Sequence, residues 1–151
     1  MIYPLDIPHY EHQLKRIEGK LYIWDMVRKK YVFLSPEEWV RQQLLHYLVK
    51  EKKYPKSLIR IEKGQRYYGL SQRTDLVVYN NKAEVFMLVE CKAPSVALKK
   101  EVWEQAWRYN TILRASHILI SNGHSFSLSL LNQGSLVFLD QIPEMLNDIL
   151  L

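Results

Sequence analysis

A chain of 151 residues suffices for one domain with an adequate hydrophobic core and leaves no room for a second enzyme module. The formal net charge of +5 is a mild basic bias, which suits a polyanionic partner without requiring one. Cys91 is the only cysteine, so an internal disulfide is excluded, and no apolar run approaches the roughly 20 residues that cross a bilayer. We therefore expect one cytoplasmic domain over residues 1–151, with residues 1–19 as a candidate N-terminal arm.

The first third of the chain predicts a β-hairpin that leads directly into a helix. Residues 20–24 and 31–34 have the apolar character of strands and join across a basic turn at residues 28–30. Ser35 is a good N-cap, Pro36 fits the first helical position, and Glu38 completes a capping box. The helix is expected to end near Lys52 and to bury a stripe on one side. That stripe is formed by Val40, Leu44, Tyr47 and Leu48.

The remainder predicts a sheet with one helical crossover. We expect a strand at residues 57–62, a hairpin that turns at residues 80–84, a helix at 97–113 and a strand at 116–121. A strand, a helix and a second strand in this order make that part of the sheet parallel. A closing hairpin is predicted around residues 132–134 and a short helix at 142–151. The predicted fold is α/β, a mixed central β-sheet flanked by helices.

Two carboxylates and an ammonium group are predicted to meet at one end of this sheet. In the hairpin that turns at residues 80–84, arms of similar length bring Asp75 beside Glu90. Strand side chains alternate between faces, so Glu90 and Lys92 point the same way and Cys91 points the other way. Paired carboxylates suit Mg2+, and a neighbouring lysine can orient or deprotonate a water molecule. Ordinary salt bridges are the alternative, but the apolar neighbours of both strands favour a functional site.

This arrangement resembles the PD-(D/E)xK nuclease superfamily, with Thr74 where the superfamily has proline. Four motifs in order are similar to the N-terminal nuclease domain of type I restriction R subunits and its short stand-alone relatives, over roughly residues 30–125. They are residues 35–42, 75–79, 89–94 and 105–109. The resemblance implies a restriction-endonuclease-like core. No Gly-x-x-x-x-Gly-Lys-Ser/Thr loop occurs, so the resemblance implies the cutting module without its ATP-driven motor.

A third acid of the metal site is sought on the first helix. On a helical wheel Glu37 falls within the stripe of Val40 and Leu44, whereas Glu38 lies to its side and has a capping role. We therefore expect Glu37 to point inward and Glu38 to cap the helix. The alternative is that both acids only favour the positive end of the helix dipole.

The second helix carries candidate substrate-positioning residues. Gln105 and Tyr109 lie one turn apart on the side expected to face the core, and the resemblance implies that they border the site and hold DNA or orient Lys92. Core packing of Tyr109 and a capping role for Gln105 are an equal alternative. Trp103 and Trp107 are interpreted as core packing, with a protein contact as the alternative.

The sequence thus predicts a metal-dependent DNA endonuclease with Asp75, Glu90 and Lys92 as catalytic residues. Glu37, Asp75, Glu90 and the carbonyl of Cys91 would hold Mg2+, for which Mn2+ can substitute. The expected partners are DNA and either restriction-system subunits or a second copy of the chain, with no membrane. The alternative is a non-catalytic nucleic-acid-binding or interaction module that keeps the nuclease fold.

Overall fold

Three β-sheets and two α-helices make up the part of the chain that the computed structural model describes, residues 6–61, 65–67, 70–72 and 76–144. The helices are α1 (Pro36–Lys50) and α2 (Lys100–Leu113), and a 3-10 turn covers Lys56–Leu58. The strands are β1 (Leu14–Ile17), β2 (Lys20–Asp25), β3 (Lys30–Phe33), β4 (Ile59–Ile61), β5 (Gln65–Tyr67), β6 (Leu70–Gln72), β7 (Leu76–Tyr79), β8 (Val85–Cys91), β9 (His117–Ser121), β10 (Phe126–Asn132) and β11 (Ser135–Leu139).

The largest sheet has six strands in the order β11-β10-β9-β8-β7-β4. Strands β8 and β9 are parallel, and the other neighbouring pairs are antiparallel. The parallel pair is joined through α2, as a crossover connection requires. The predicted α/β fold, a mixed sheet flanked by helices, is therefore confirmed, as is the closing hairpin β10–β11.

Each face of this sheet is covered by one helix. Val89 and Cys91 of β8 belong to the same core as Leu44 of α1. Leu88 belongs to the other core, together with Tyr109 of α2. Because side chains alternate along a strand, the two helices lie on opposite faces of β8.

A smaller sheet, β1-β2-β3, packs against a second side of α1. Its core consists of Ile23, Val32, Leu34 and Trp39. The predicted hairpin corresponds to β2 and β3, but β1 lies within residues 1–19, which the sequence suggests as an arm. Leu14 to Ile17 instead pair antiparallel with β2.

Helix α1 begins after the predicted N-cap, with the backbone N–H of Glu38 donating to Ser35 Oγ at 3.1 Å. The predicted capping box is not completed, because Ser35 N–H donates to the carbonyl of Phe33 at 3.2 Å and the Glu38 side chain binds arginines instead. Val40, Leu44 and Leu48 are buried, and Tyr47 is partly buried. A second side of the helix is also buried, with Trp39, Gln42, Gln43 and His46. The small sheet and the segment around His12, which precedes β1, cover this side.

Helix α2 begins at Lys100, three residues later than predicted, and ends at Leu113. Arg114 follows in the left-handed region, with φ 55° and ψ 38°. The side chain of Asn110 accepts from the N–H of Ala115 at 2.7 Å and donates to its carbonyl at 2.9 Å. One amide thus replaces the backbone partners that a helix end lacks and fixes the path into β9.

Two predicted elements differ from the structure or lie outside it. The strand expected at residues 57–62 begins as the 3-10 turn and continues as β4, because Pro55 precedes a tight turn in which Leu58 N–H donates to its carbonyl. Of the helix expected at 142–151, residues 142–144 are not helical and 145–151 lie outside the described residues. Neither α1 nor α2 combines the length and apolar character needed to cross a bilayer.

Candidate active site at the end of strand β8

Glu90 and Lys92 lie at the C-terminal end of β8, an inner strand between β7 and β9. Lys92 Nζ lies 2.9 Å from Glu90 Oε1, with 25% of the lysine side chain and 14% of the glutamate side chain accessible. Lys92 N–H donates to the carbonyl of Ser121 at 2.8 Å, so the backbone of this residue is fixed by the neighbouring strand. The pair is therefore positioned by the sheet and is still partly open to solvent.

The alternation of side chains around Cys91 agrees with the sequence-based prediction. Cys91 is buried in the core beneath α1. Glu90, its neighbour in the strand, pairs in register with Ile120, which belongs to the core beneath α2. The glutamate and lysine thus share one face, and the thiol has a packing role on the other.

Asp75 lies outside the described residues, as does Thr74. The last described pair of the β7–β8 ladder is Leu76 with Val89. Leu76 follows Asp75 in the sequence, and Val89 precedes Glu90. The meeting of Asp75 with Glu90 stays a prediction.

The donor set at this strand end can be compared with the ligands that Mg2+ prefers. A carboxylate from Glu90 and a main-chain carbonyl from Cys91 are hard oxygen donors, and these fit Mg2+ better than a soft metal. Within residues 6–61 and 76–144, no three His, Cys, Asp or Glu side chains gather in a way that could hold a metal ion. The described residues thus supply part of the predicted ligand set.

The orientation predicted for the two helix acids is wrong. Glu37 is exposed, whereas Glu38 is only 6% exposed. The helical wheel identifies the inward side of α1 only from Val40, Leu44 and Leu48. In the structure, the small sheet buries a second side of the helix. Moreover, α1 covers the face of β8 opposite to Glu90 and Lys92. An inward third acid at position 37 is therefore corrected to a solvent-facing residue.

Glu38 belongs to a group of buried and partly buried polar side chains, here named the Asp25 cluster, which the sequence analysis did not identify. Its members are Asp25, Arg28, Glu38, Arg41 and Gln42. Arg28 bridges both acids, with Nε 2.7 Å from Asp25 Oδ2 and Nη2 2.6 Å from Glu38 Oε1. Arg41 binds the second oxygen of Glu38. The spacing of Glu38, Arg41 and Gln42, three and four residues apart on a helix, was the available signal.

Each carboxylate of the Asp25 cluster is compensated by several donors. Asp25 Oδ1 accepts the backbone N–H groups of Val27 and Arg28 at 2.9 and 2.8 Å. Gln42 Nε2 donates to Asp25 Oδ2 at 2.8 Å and to Glu38 Oε1 at 2.9 Å. Two acids face two guanidinium groups, so the cluster is formally neutral. Such a set joins the hairpin turn to α1 and has the features of a structural element.

Gln105 and Tyr109 lie in different environments. Tyr109 is buried in the core beneath α2, but Gln105 is exposed. The buried stripe of α2 runs through Ala106 and Tyr109, and Gln105 lies beside it. The expectation that both face the core is therefore wrong for Gln105, and their role towards a substrate stays untested.

A polar turn after β9 lies beside the strand end and was also missed. Asn122 is buried, and its Oδ1 accepts the N–H groups of His124 at 3.0 Å and Ser125 at 2.9 Å. Its Nδ2 donates to the carbonyl of Val96 at 2.8 Å. Asn122 thus ties the segment that follows Lys92 to the end of β9. The sequence Ser-Asn-Gly-His after a predicted strand is typical of such a turn.

Two histidines pack together on the side of α1 away from the large sheet. The rings of His12 and His46 are 4.5 Å apart, and Gln43 Nε2 lies 2.6 Å from His12 Nε2. Burial, and secondarily the charge of His12, lowers the pKa of His46 to about 4. Burial also lowers the pKa of His12. Both imidazoles are thus held neutral, as expected for packing residues rather than surface groups.

Comparisons with known proteins identify the family to which the chain belongs. The sequence model of the family "Type I restriction enzyme R protein N terminus" matches residues 36–143. Curated protein sequences give no significant match. A solved fragment of a type I restriction enzyme HsdR subunit from Vibrio vulnificus YJ016 is 20% identical, with a TM-score of 0.39 over 56% of this chain and 16% of that chain. Because the family match covers well over half of the sequence, the chain belongs to the family of type I restriction enzyme R protein N-terminal domains.

Proposed function

We propose that this chain is a metal-dependent endonuclease domain that hydrolyses phosphodiester bonds of DNA. The observation that carries the proposal is the Glu90 and Lys92 pair, 2.9 Å apart at the end of an inner strand and partly accessible. Charged residues in such a position are more often functional than decorative. Membership of a restriction-enzyme family supports the same chemistry.

Asp75 completes the proposed catalytic set. The antiparallel ladder from Val78 with Met87 to Leu76 with Val89 advances one residue at a time on both strands. If the ladder continues by one pair, Asp75 stands opposite Glu90. The proposal therefore places two carboxylates and one ammonium group together, as hydrolysis of a phosphodiester needs.

Each proposed role follows from the chemistry of the group. Asp75, Glu90 and the carbonyl of Cys91 would hold Mg2+, which when bound polarises the phosphate and lowers the pKa of water. Lys92 orients the attacking water through its ammonium group, and Glu90 keeps that ammonium group in place through their ion pair. Gln105 and Tyr109 remain proposed neighbours of the substrate.

DNA is the proposed substrate because the chain has a formal net charge of +5, which suits a polyanionic partner. Lys99 and Lys100 are exposed at the start of α2, in the connection that follows Lys92. Such lysines contact phosphates without reading sequence, so recognition of a particular site is left to other subunits of a restriction system.

A second candidate function is a non-catalytic module that binds nucleic acid or a restriction complex. The structure of α1 favours it in one respect. Glu37 faces solvent, and both carboxylate oxygens of Glu38 already bind guanidinium groups, so α1 offers no inward acid ready for a metal. The site then has one acid fewer than predicted.

A plasmid-nicking assay with Mg2+ or Mn2+ separates the two functions. Lys92→Ala should reduce cleavage by roughly a hundredfold or more, while DNA affinity measured by fluorescence anisotropy stays nearly unchanged, since one lysine is a small part of a phosphate-binding surface. Lys82→Ala is the matched control, because Lys82 is exposed in the turn at the other end of the same hairpin.

The outcomes distinguish the functions. Lys82→Ala should cut like the wild type. A wild-type protein that binds DNA and never cuts supercoiled, linear or single-stranded DNA supports the non-catalytic module. A protein that does neither is a scaffold.

A further inference from the structure

The outer hairpin of the large sheet, β10–β11, exposes an unusual amount of apolar surface. Helix α2 packs mainly against β8 and β9, and it meets β11 through the rings of Trp103 and Phe138. Five apolar side chains of the hairpin are between 42% and 60% exposed. They are Phe126, Leu131, Leu136, Val137 and Phe138. Clustered exposure of this kind marks an interaction surface more often than scattered single residues do.

The same region carries no Asp, Glu, Lys or Arg from residue 115 to residue 139. In a chain of which 25% is charged, this is a long neutral stretch. DNA requires lysine or arginine at its binding surface, so the hairpin does not suit it. A neutral, apolar partner is the complementary one.

Strand β11 is the last strand of its sheet, and its second side is not paired by any strand among residues 6–61 and 76–144. Edge strands usually carry charges that prevent further pairing. The edge strand β3 of the small sheet contains Lys30. Strand β4, at the other edge of the large sheet, contains Arg60. The sequence of β11, Ser-Leu-Val-Phe-Leu, contains neither a charge nor a proline. No residue of β11 therefore opposes pairing of this edge with a further strand.

The apolar side chains of β11 are arranged symmetrically. Leu136 and Phe138 lie on the same face, on either side of Val137, and Phe138 meets the ring of Trp103 edge to face at 5.5 Å. An antiparallel copy of β11 centred on Val137 would bring each Leu136 opposite the partner's Phe138. A surface of this kind is complementary to itself, as a two-fold interface requires.

We propose that β11 pairs antiparallel with β11 of a second copy of this chain, giving a dimer with one continuous sheet. The net charge of +5 does not oppose this contact, because all Lys and Arg residues lie outside residues 115–139. Five residues of strand and their neighbours form a small interface, near the lower limit of about 1,200 Å² for specific contacts. We expect weak association, with a dissociation constant on the order of micromolar. The proposal does not depend on nuclease activity.

Sedimentation velocity of the full chain, from sub-micromolar to several hundred micromolar concentration, tests the dimer. The wild type should shift from monomer to dimer over this series. Phe138→Lys and Val137→Lys should each weaken association at least tenfold, because they place like charges across the two-fold axis. Phe33→Lys is the matched control, since Phe33 is 53% exposed on the edge strand β3 and its loss should leave the dimer intact.

Hydrogen exchange of the wild type supplies a readout that needs no variant. Amides of β11 should gain protection as the protein concentration rises, and those of β3 should not. A wild type that stays monomeric throughout, or a dimer that Phe138→Lys and Val137→Lys leave unchanged, overturns the proposal. Binding of a different protein through this edge, without self-association, would also overturn it.

Discussion

The Asp25 cluster and the Glu90–Lys92 pair are two groups of charged residues built on opposite principles. In the Asp25 cluster, each acid binds a guanidinium group and further N–H donors, and Asp25 is fully buried. At the end of β8, one acid faces one ammonium group, and both remain partly accessible. In the first arrangement both carboxylates find their donors within the cluster, and in the second both side chains stay partly accessible to solvent.

This difference teaches how to separate structural from functional charges in one small domain. A buried acid with all its partners holds two elements together, and losing one partner leaves an uncompensated charge. A pair that stays partly accessible is screened by solvent and stabilises the fold less. Substitutions should therefore change stability in the first region and ligand binding in the second.

The largest expected effect is that of Glu38→Ala. Removing this carboxylate breaks the ion pairs with Arg41 and with Nη2 of Arg28 in a largely buried site, although Arg28 keeps its bond to Asp25, so we expect the free energy of unfolding to fall by about 3–5 kcal/mol. Urea denaturation followed by circular dichroism measures the loss. Glu37→Ala, at the adjacent exposed position, should change stability by less than about 0.5 kcal/mol. Equal effects at positions 37 and 38 would show that the Asp25 cluster does not hold the fold.

An effect of intermediate size is expected on stability when the pH is lowered. It arises from His46, which also lies on α1. The pKa of His46 is lowered from 6.5 to about 4 in the folded protein, mainly by burial, so the unfolded chain binds more protons between these values. Stability is therefore complete above pH 6.5 and falls as the pH decreases towards 4. The loss attributable to His46 is up to about 3 kcal/mol.

Chemical denaturation at several pH values measures this dependence. His46→Gln should flatten the decrease between pH 6.5 and 4, although His12, whose pKa is also lowered, retains part of it. His124→Gln, at an exposed histidine, should leave the decrease largely intact. A wild type whose stability is constant over this range would contradict the burial of a neutral His46.

The smallest expected effect concerns binding of a divalent ion at the Glu90–Lys92 pair. A divalent ion that binds only the folded protein stabilises it by about 1.4 kcal/mol at ten times its dissociation constant. We expect Mg2+ or Mn2+ to raise the melting temperature of the wild type. Glu90→Gln should abolish the rise, and Glu84→Gln, in the exposed turn of the same hairpin, should not. A rise that survives Glu90→Gln would place the ion elsewhere.

The sequence predicted correctly those elements that depend on patterns between residues close together in the chain. Ser35 and Pro36 mark the start of α1, and the period of two along β8 puts Glu90 and Lys92 on one face. The strand-helix-strand order around α2 predicts the parallel pair. These features depend on neighbours in the chain, and such neighbours are visible in the sequence.

Features that depend on distant parts of the chain were not predictable in the same way. Whether Glu37 or Glu38 is buried is decided by the small sheet, which gives α1 a second buried side that a wheel centred on Val40 cannot include. Gln105 is exposed because α2 rests on β8 and β9 through Ala106 and Tyr109. The position of Asp75 lies outside the described residues, and its part in the site rests on sequence.

The amide of Asn110 has a consequence for cooperativity. Because it binds both backbone groups of Ala115, the last turn of α2 cannot fray without releasing the chain that enters β9. Strand β9 lies between β8 and β10, so its release would disrupt the middle of the sheet. Local opening at this helix end is thus coupled to sub-global unfolding, and the crossover behaves as a single cooperative unit.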